Sequence, residues 1–366
     1  MPLIHSWNTI ADYQKQTATL LSQKNTVIVA PLSTGEFFLK RVTRYTKKNG
    51  VIFHTPIYLL PFKRFPFITA INNRLSFSLF VLDQYIRTLI NKKSLLLWYF
   101  SAQDLYPHRH VLATIPSLYD CVDDVGWLLN KKKNMLFRKQ EAECIKNSTY
   151  FFVNSRTLEV NHRTVRKPTA RVPQGFAVVE FAASMPTQKI APSKNKVGYV
   201  GHINFRIDWS LLIHTALKAP SIEFHLYGPI MHEPDQEKIS LNKVLQIVKK
   251  VPNVFLHPQF YNRREVVKHI NSFTVAMIPY DTTLPANKNC FPMKFLEYLY
   301  CEKPVISTKI TELQYYKKYA TVSNSPHVWA TEILSLCKNP IDITGARAIA
   351  KSHSWEKKVN KICSHL

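Results

Sequence analysis

Between residues 291 and 305 the chain reads Phe-Pro-Met-Lys-Phe-Leu-Glu-Tyr-Leu-Tyr-Cys-Glu-Lys-Pro-Val. Pro292 suits the first turn of a helix, where the missing N–H is not needed. On such a helix Met293 and Glu297 are four residues apart and Lys294 and Glu297 three, so all three share one face near its start. A lysine there can neutralise a diphosphate, and a carboxylate can take two ribose hydroxyls. The same spacing also fits a surface Lys–Glu pair on an ordinary amphipathic helix. Upstream, the apolar run Lys196–Val200 enters Gly201-His202-Ile203-Asn204-Phe205-Arg206 ahead of a helix opened by Asp208, and Tyr227-Gly228-Pro229 follows the next run. A glycine straight after a strand lets the backbone approach a phosphate, and a helix start favours an anion. Alone, a single glycine is a weak nucleotide fingerprint.

A second group is acidic. The run Ser117–Cys121 ends in Asp120-Cys121-Val122-Asp123-Asp124. Neighbouring carboxylates raise one another's proton affinity, which tunes one of them toward accepting a proton from a hydroxyl. Asp123 is the first choice as base, then Asp124 and Asp120. Equally, these acids could cap the next segment or pair with Lys131–Lys133. His108 and His110 are further candidates, read as solvated loop histidines.

The elements that must position these residues alternate. Strands are expected at Thr26–Ala30, Val51–His54, Leu95–Phe100, Ser117–Cys121 and Tyr150–Asn154, then at Lys196–Val200, Glu223–Tyr227, Asn253–Leu256, Val275–Pro279 and Pro304–Ser307. Helices are expected at 8–23, 73–91, 134–147, 208–218, 240–251, 263–272 and 292–301. Strand–helix alternation in both halves predicts an α/β fold with parallel sheets. A length of 366 residues suits two domains. The segment 181–195, with two prolines and no periodicity, is the expected linker. The division is then 1–180, 196–345 and a closing segment 346–366.

Lys and Arg number 49 against 24 Asp and Glu, a formal net charge of +25, and about fifteen of those surplus charges precede residue 172. Such an excess asks for an anionic partner. Tyr58, Phe62, Lys63, Arg64, Phe65, Phe67, Arg74, Phe77 and Phe80 interleave basic and aromatic residues, read as exposed, as an anionic bilayer interface would require. Nucleic acid fits less well: the cations are spread as pairs and no helix-turn-helix, RNP or zinc-finger pattern occurs. The six cysteines form no CxxC pair and no His/Cys cluster in sequence, which argues against a zinc site and for reduced thiols in the cytoplasm. No signal peptide is recognised at the start, and no window of about 18–20 uninterrupted apolar residues could span a bilayer.

Taken in order, the Gly201 loop, Gly228, Val275–Tyr280, Pro292-Met-Lys-x-x-Glu297 and Lys303-Pro304-Val305 resemble the GT-B glycosyltransferases. Within these they are most similar to the family 4-like group and related bacterial transferases of cell-surface polysaccharide synthesis. The resemblance is clearest over 196–361 and includes His353-Ser354-Trp355-Glu356, similar to the helix that ends many such enzymes. It implies two Rossmann-like domains facing each other across a cleft, the first binding acceptor and the second donor, with a C-terminal helix crossing back to the first. It implies that Glu297 holds the nucleotide ribose, that Lys294 and the Gly201 loop face the diphosphate, and that Tyr280 and Met293 line the base or sugar pocket. Arg206 would supply a basic side chain at the diphosphate, and Gly228 a second turn at the donor. The Asp120–Asp124 stretch, Ser155 and the Val172-Pro173-Gln174-Gly175 turn match family features of the first domain. At the position eight before Glu297, where many members carry glutamate, this chain has Asn289. No Asp-x-Asp motif occurs, in keeping with a metal-free site in which basic side chains and helix dipoles offset the leaving diphosphate. The implied substrates are a nucleotide-sugar, UDP- or GDP-linked, and a carbohydrate or lipid-linked carbohydrate acceptor, with no other cofactor. The implied place is the inner face of the cell membrane. A non-catalytic nucleotide-sugar or carbohydrate-binding protein on the same fold is the alternative.

Overall fold

The computed structural model describes residues 2–3, 12–31, 45–54, 65–124, 131–188, 190–231, 238–259 and 261–366. The chain divides into two compact units, Met1–Val172 with Lys358–Leu366, and Pro173–Lys357. The segment 181–195, expected as a linker, lies within the second unit. Its first residues end the helix Val178–Ser184, and the Ser193 N–H donates to Ser272 O at 2.9 Å, anchoring the approach to the next strand.

Among the described residues, eight strands belong to the first unit: β1 Pro2–Leu3, β2 Ile28–Pro31, β3 Tyr45–Lys48, β4 Val51–His54, β5 Leu97–Tyr99, β6 Ser117–Cys121, β7 Tyr150–Val153 and β8 Ala170–Arg171. They form one four-stranded sheet in the order β1-β2-β4-β3 and another in the order β5-β6-β7-β8. All pairs are parallel except β3 with β4. That hairpin, absent from the sequence expectations, turns at Asn49-Gly50, both with positive φ, the sequence pair that suits a tight two-residue hairpin turn.

Every residue of β6 is buried, as a central strand covered on both faces requires. Alternation sends Tyr119 and Cys121 to one face, with Leu97, Tyr99, Phe151 and Val153. Leu118 faces the other way, with Trp98, Phe152, Val172 and Ile362. Ile362 lies on the helix Trp355–Cys363, which starts in the second unit and ends in the first.

The helix Pro66–Ile90 starts earlier than its apolar periodicity indicates, with a proline in its first turn. It buries Phe77 and Phe80, so these two are core residues and not exposed aromatics. Exposed apolar positions include Phe67, Ile71, Leu75, Leu79, Leu82 and Ile86, whose three- and four-residue spacing draws one stripe along the helix. Phe65 is exposed as expected; Tyr58, Phe62, Lys63 and Arg64 lie outside the described residues. No helix among the described residues is long and apolar enough to cross a membrane.

The second unit carries β9 Lys196–Val200, β10 Glu223–Tyr227, β11 Val254–His257, β12 Val275–Ile278, β13 Val305–Ser307 and β14 Ala320–Val322. They form one parallel sheet in the order β11-β10-β9-β12-β13-β14. Numbered within the unit this is 3-2-1-4-5-6, the doubly wound order, and the chain direction across the sheet reverses between β9 and β12. Ligands of such sheets bind outside the carboxyl ends of the strands at that reversal. Gly201 follows β9, and Pro279-Tyr280 follows β12. The helix Met293–Tyr300 comes next in the chain.

Candidate active site

The β9 and β10 loops are zipped together backbone to backbone. Gly201 N–H donates to Tyr227 O at 2.8 Å and Ile203 N–H to Pro229 O at 2.9 Å. Gly201 (φ +150°) and Gly228 (φ +138°) both sit where side chains are disfavoured, and a Cβ on Gly228 would fall 2.1 Å from Gly201 O. The Gly201 N–H is thus spent on the sheet and does not cradle a phosphate. Its missing side chain does something else: a Cβ there would lie 2.2 Å from Lys294 Cε and 2.5 Å from Nζ. The glycine opens the channel along which Lys294 reaches the strand ends.

Lys294 and Arg206 converge on one ring. Lys294 Nζ lies 5.4 Å from the centroid of Tyr199 and 6.0 Å from that of Tyr280, and Arg206 Cζ lies 5.2 Å from Tyr280. Burial works against the lysine's charge, but Tyr199, Tyr280 and Glu297 beside it outweigh burial and raise its pKa. At neutral pH Lys294 is a fixed cation. His202 registers the same field: burial lowers its pKa first, and Lys294 and Arg206 lower it further. The helix Met293–Tyr300 begins at Pro292 with no side-chain cap, leaving its positive end to the same region. Two cations and a helix start at the sheet's reversal point are an arrangement suited to an anion.

Three residues that sequence reasoning missed hold this arrangement. Buried Asn287 accepts from Arg206 Nε at 2.6 Å and donates to Arg206 O at 3.1 Å and Asp281 O at 2.9 Å. It clamps the β9 loop to the β12 loop. Arg263 donates to Glu297 Oε1 at 3.2 Å and lies 3.6 Å from Glu180, fixing the carboxylate one turn along from Lys294. Tyr298 accepts from Val200 N–H at 3.1 Å, tying the same helix to the end of β9. The Asn262-x-x-Glu265 capping box marks the start of the Arg263 helix in sequence. Nothing local to Asn287 announces its role. Met293 is half-buried, and Asn289 is buried at the end of the short helix Pro285–Lys288. Lys303 is buried and donates to Asn271 O at 2.7 Å, a structural tie. Gly175 is a packing glycine: a Cβ there would meet the Trp355 ring at 2.2 Å.

In the first unit the three acids have different surroundings. Asp120, on the face covered by the C-terminal helix, is fully buried and pairs with Lys358 at 3.1 Å. Asp124 is nearly buried, 2.9 Å from Arg138 and within 3.5 Å of Asn161 Nδ2. Asp123 is exposed. The buried pair removes Asp120 from contact with solvent, and of the three only Asp123 presents itself to it.

One of the two histidines differs from expectation. His108 is not a solvated loop residue: it is buried in the 3-10 stretch Tyr106–Ala113, its ring 4.7 Å from Phe77. Burial, then His110 and Arg74, push its pKa down to about 4. The unfolded chain therefore binds a proton that the folded chain refuses between about pH 6.5 and 4, so acidification through that window costs stability. Replacing His108 by leucine should remove up to about 3 kcal/mol of that loss. Urea denaturation at pH 7 and pH 4.5 checks it; identical pH dependence in both proteins would contradict it. His110 bonds Ser78 Oγ through Nε2 at 2.8 Å on the surface.

Comparison with known proteins bears on the family and the fold. Residues 194–339, which hold the whole anion site, match the family described as glycosyl transferases group 1. A Bacillus subtilis (strain 168) protein named for a glycosyltransferase role in teichuronic acid biosynthesis, TuaH, is 23% identical over 301 residues, 75% of this chain and 72% of its own. The stretch 194–339 is similar to the group 1 glycosyl transferases, and the fold of the chain is GT-B. Sucrose-phosphate synthase of Thermosynechococcus elongatus superposes with a TM-score of 0.72 at 13% identity, covering 96% of this chain and 91% of its own. HepE of Anabaena, solved with UDP and glucose, gives 0.66 at 12% identity, covering 99% and 97%. At such low identities these two structures speak for the GT-B fold alone.

Proposed function

We propose that the protein moves a sugar from a nucleotide-sugar donor to a hydroxyl of a carbohydrate or lipid-linked carbohydrate acceptor in cell-surface polysaccharide synthesis. The observation that carries this reading is the convergence of Lys294 and Arg206 on Tyr280 at the reversal point of the second sheet. In the proposed mechanism these cations and the start of the Met293–Tyr300 helix offset charge that grows on the departing diphosphate, without a metal. Glu297, oriented by Arg263, accepts hydrogen bonds from the ribose hydroxyls, and Met293 and Tyr280 border the base or sugar. Asp123 takes the proton of the acceptor hydroxyl as the new bond forms. The UDP held by HepE favours a uridine donor over a guanosine one, and the name of TuaH favours a cell-envelope glycan.

A panel of nucleotide-sugars tests the reading, since a ligand bound only by the folded state raises the melting temperature. A UDP- or GDP-sugar should stabilise the protein. Stabilisation by short oligonucleotides and by no nucleotide-sugar would refute it.

The stripe from Phe67 to Ile86, flanked by exposed Arg74, Lys92 and Lys93, supports contact with an anionic bilayer that would present a lipid-linked acceptor. Such contact would place the protein at the inner face of the cell membrane. Vesicles containing anionic lipid should sediment the protein at low salt, and replacing Leu79 and Leu82 by serine should release it. Equal binding to neutral vesicles would count against this role of the basic residues.

A further inference from the structure

We propose that Cys121, Glu141 and His162 form a binding site for a divalent transition-metal ion of the zinc type, in the first unit and separate from the donor site. Cys121 ends β6, Glu141 lies on the helix Lys131–Asn147, and His162 ends the helix Arg156–His162. Alternation along β6 turns Cys121 away from the Asp120 face. Three metal-binding residue types, twenty or more positions apart in sequence, thus meet in the core.

All three side chains are buried. Cys121 Sγ lies 3.9 Å from Glu141 Oε1 and 4.0 Å from His162 Nε2, and Glu141 Oε2 lies 3.9 Å from His162 Nε2. One donor atom from each residue lies within 4.8 Å of the other two, so an ion at their centre would sit about 2.3–2.8 Å from each, and a small inward rotation of the side chains reaches zinc–thiolate, zinc–imidazole and zinc–carboxylate bond lengths. Thiolate with imidazole favours zinc over magnesium or calcium, which take oxygen ligands. The charges also balance. A thiolate and a carboxylate carry two negative charges and a neutral imidazole none, so a divalent cation leaves no net charge in the core.

Hydrogen bonding gives a weaker account of the same convergence. The thiol's bond to Asp123 O, at 3.5 Å, is of ordinary length for sulfur, but the contacts among the three side chains are all long. The one short bond, from Tyr119 Oη to Glu141 Oε1 at 2.8 Å, is what a ligating carboxylate needs to fix its orientation. Three protein ligands leave a fourth position for water or another small ligand. The ion would pin the end of β6 to two helices, and with it the turn carrying Asp123 and Asp124.

The full chain, purified without a polyhistidine tag, should contain close to one zinc per molecule by plasma mass spectrometry. Cobalt(II) exchanged into it should show thiolate-to-metal absorption. Cys121→Ser should abolish that absorption, while Cys337→Ser and Cys363→Ser, at the two less buried thiols, should leave it. His162→Gln should weaken metal binding at least tenfold. Wild-type protein that neither carries zinc nor gives a cobalt–thiolate band overturns the proposal, whatever the variants do, and so does a band that survives Cys121→Ser.

Discussion

An alanine at Lys294 is expected to lower affinity for a nucleoside diphosphate by about 10- to 100-fold, the worth of roughly 1.5–3 kcal/mol for a hydrogen bond to a charged group. The expectation comes from where the side chain goes. It passes over Gly201, where even a Cβ would collide with it, and ends among Tyr199, Tyr280 and Glu297. Its charge is held there against the pull of burial, and an anion is the partner that placement serves. Glu297→Ala should cost a similar factor through the ribose, and Arg263 would keep Glu180 as a partner, so the fold should persist. Calorimetry with a nucleoside diphosphate measures both. Unchanged affinity in both variants would remove the donor assignment.

The second large effect separates chemistry from binding. Asp123→Asn should bind donor as the wild type does and lose transfer by about 10²–10⁴-fold, the usual contribution of a positioned base. Asp120→Asn should behave differently. It would leave Lys358 buried without its carboxylate, an effect of about 3–5 kcal/mol on stability, and lower the melting temperature before it touches turnover. Full turnover by Asp123→Asn would move the base to Asp124, whose carboxylate is already engaged by Arg138, or to another group.

The contrast between those two aspartates shows what the sequence could and could not tell. Both sit in one short acidic run. Strand alternation explains why one of them points into a face, but not that Lys358, 238 positions later, waits there. Local patterns did better where they are strong. Ser117–Cys121, Lys196–Val200 and Glu223–Tyr227 are strands over the expected residues, because apolar runs bounded by turns or by a glycine leave few alternatives. Tyr45–Lys48 escaped because Tyr-Thr-Lys-Lys is mostly polar and exposed, as an edge strand permits, although Asn49-Gly50 marked its turn. Phe77 and Phe80 were misread as exposed because basic neighbours in sequence are not neighbours on a helix face. Helical spacing put Lys294 and Glu297 on one face, and the order of motifs along the chain, with the family resemblance, singled them out. Arg263, which holds Glu297, and Asn287, which holds Arg206, act across gaps of 34 and 81 residues, and only the folded sheet brings such residues together.

The most direct test needs no variant. Titrating the unmodified protein calorimetrically with the nucleoside diphosphate of the stabilising donor, and separately with the bare nucleoside, asks whether binding runs through the diphosphate. Affinity for the diphosphate at least tenfold above the nucleoside, weakening as salt rises, is the expected result. Equal affinity for the two would contradict an anion site built from Lys294, Arg206 and the start of the Met293–Tyr300 helix.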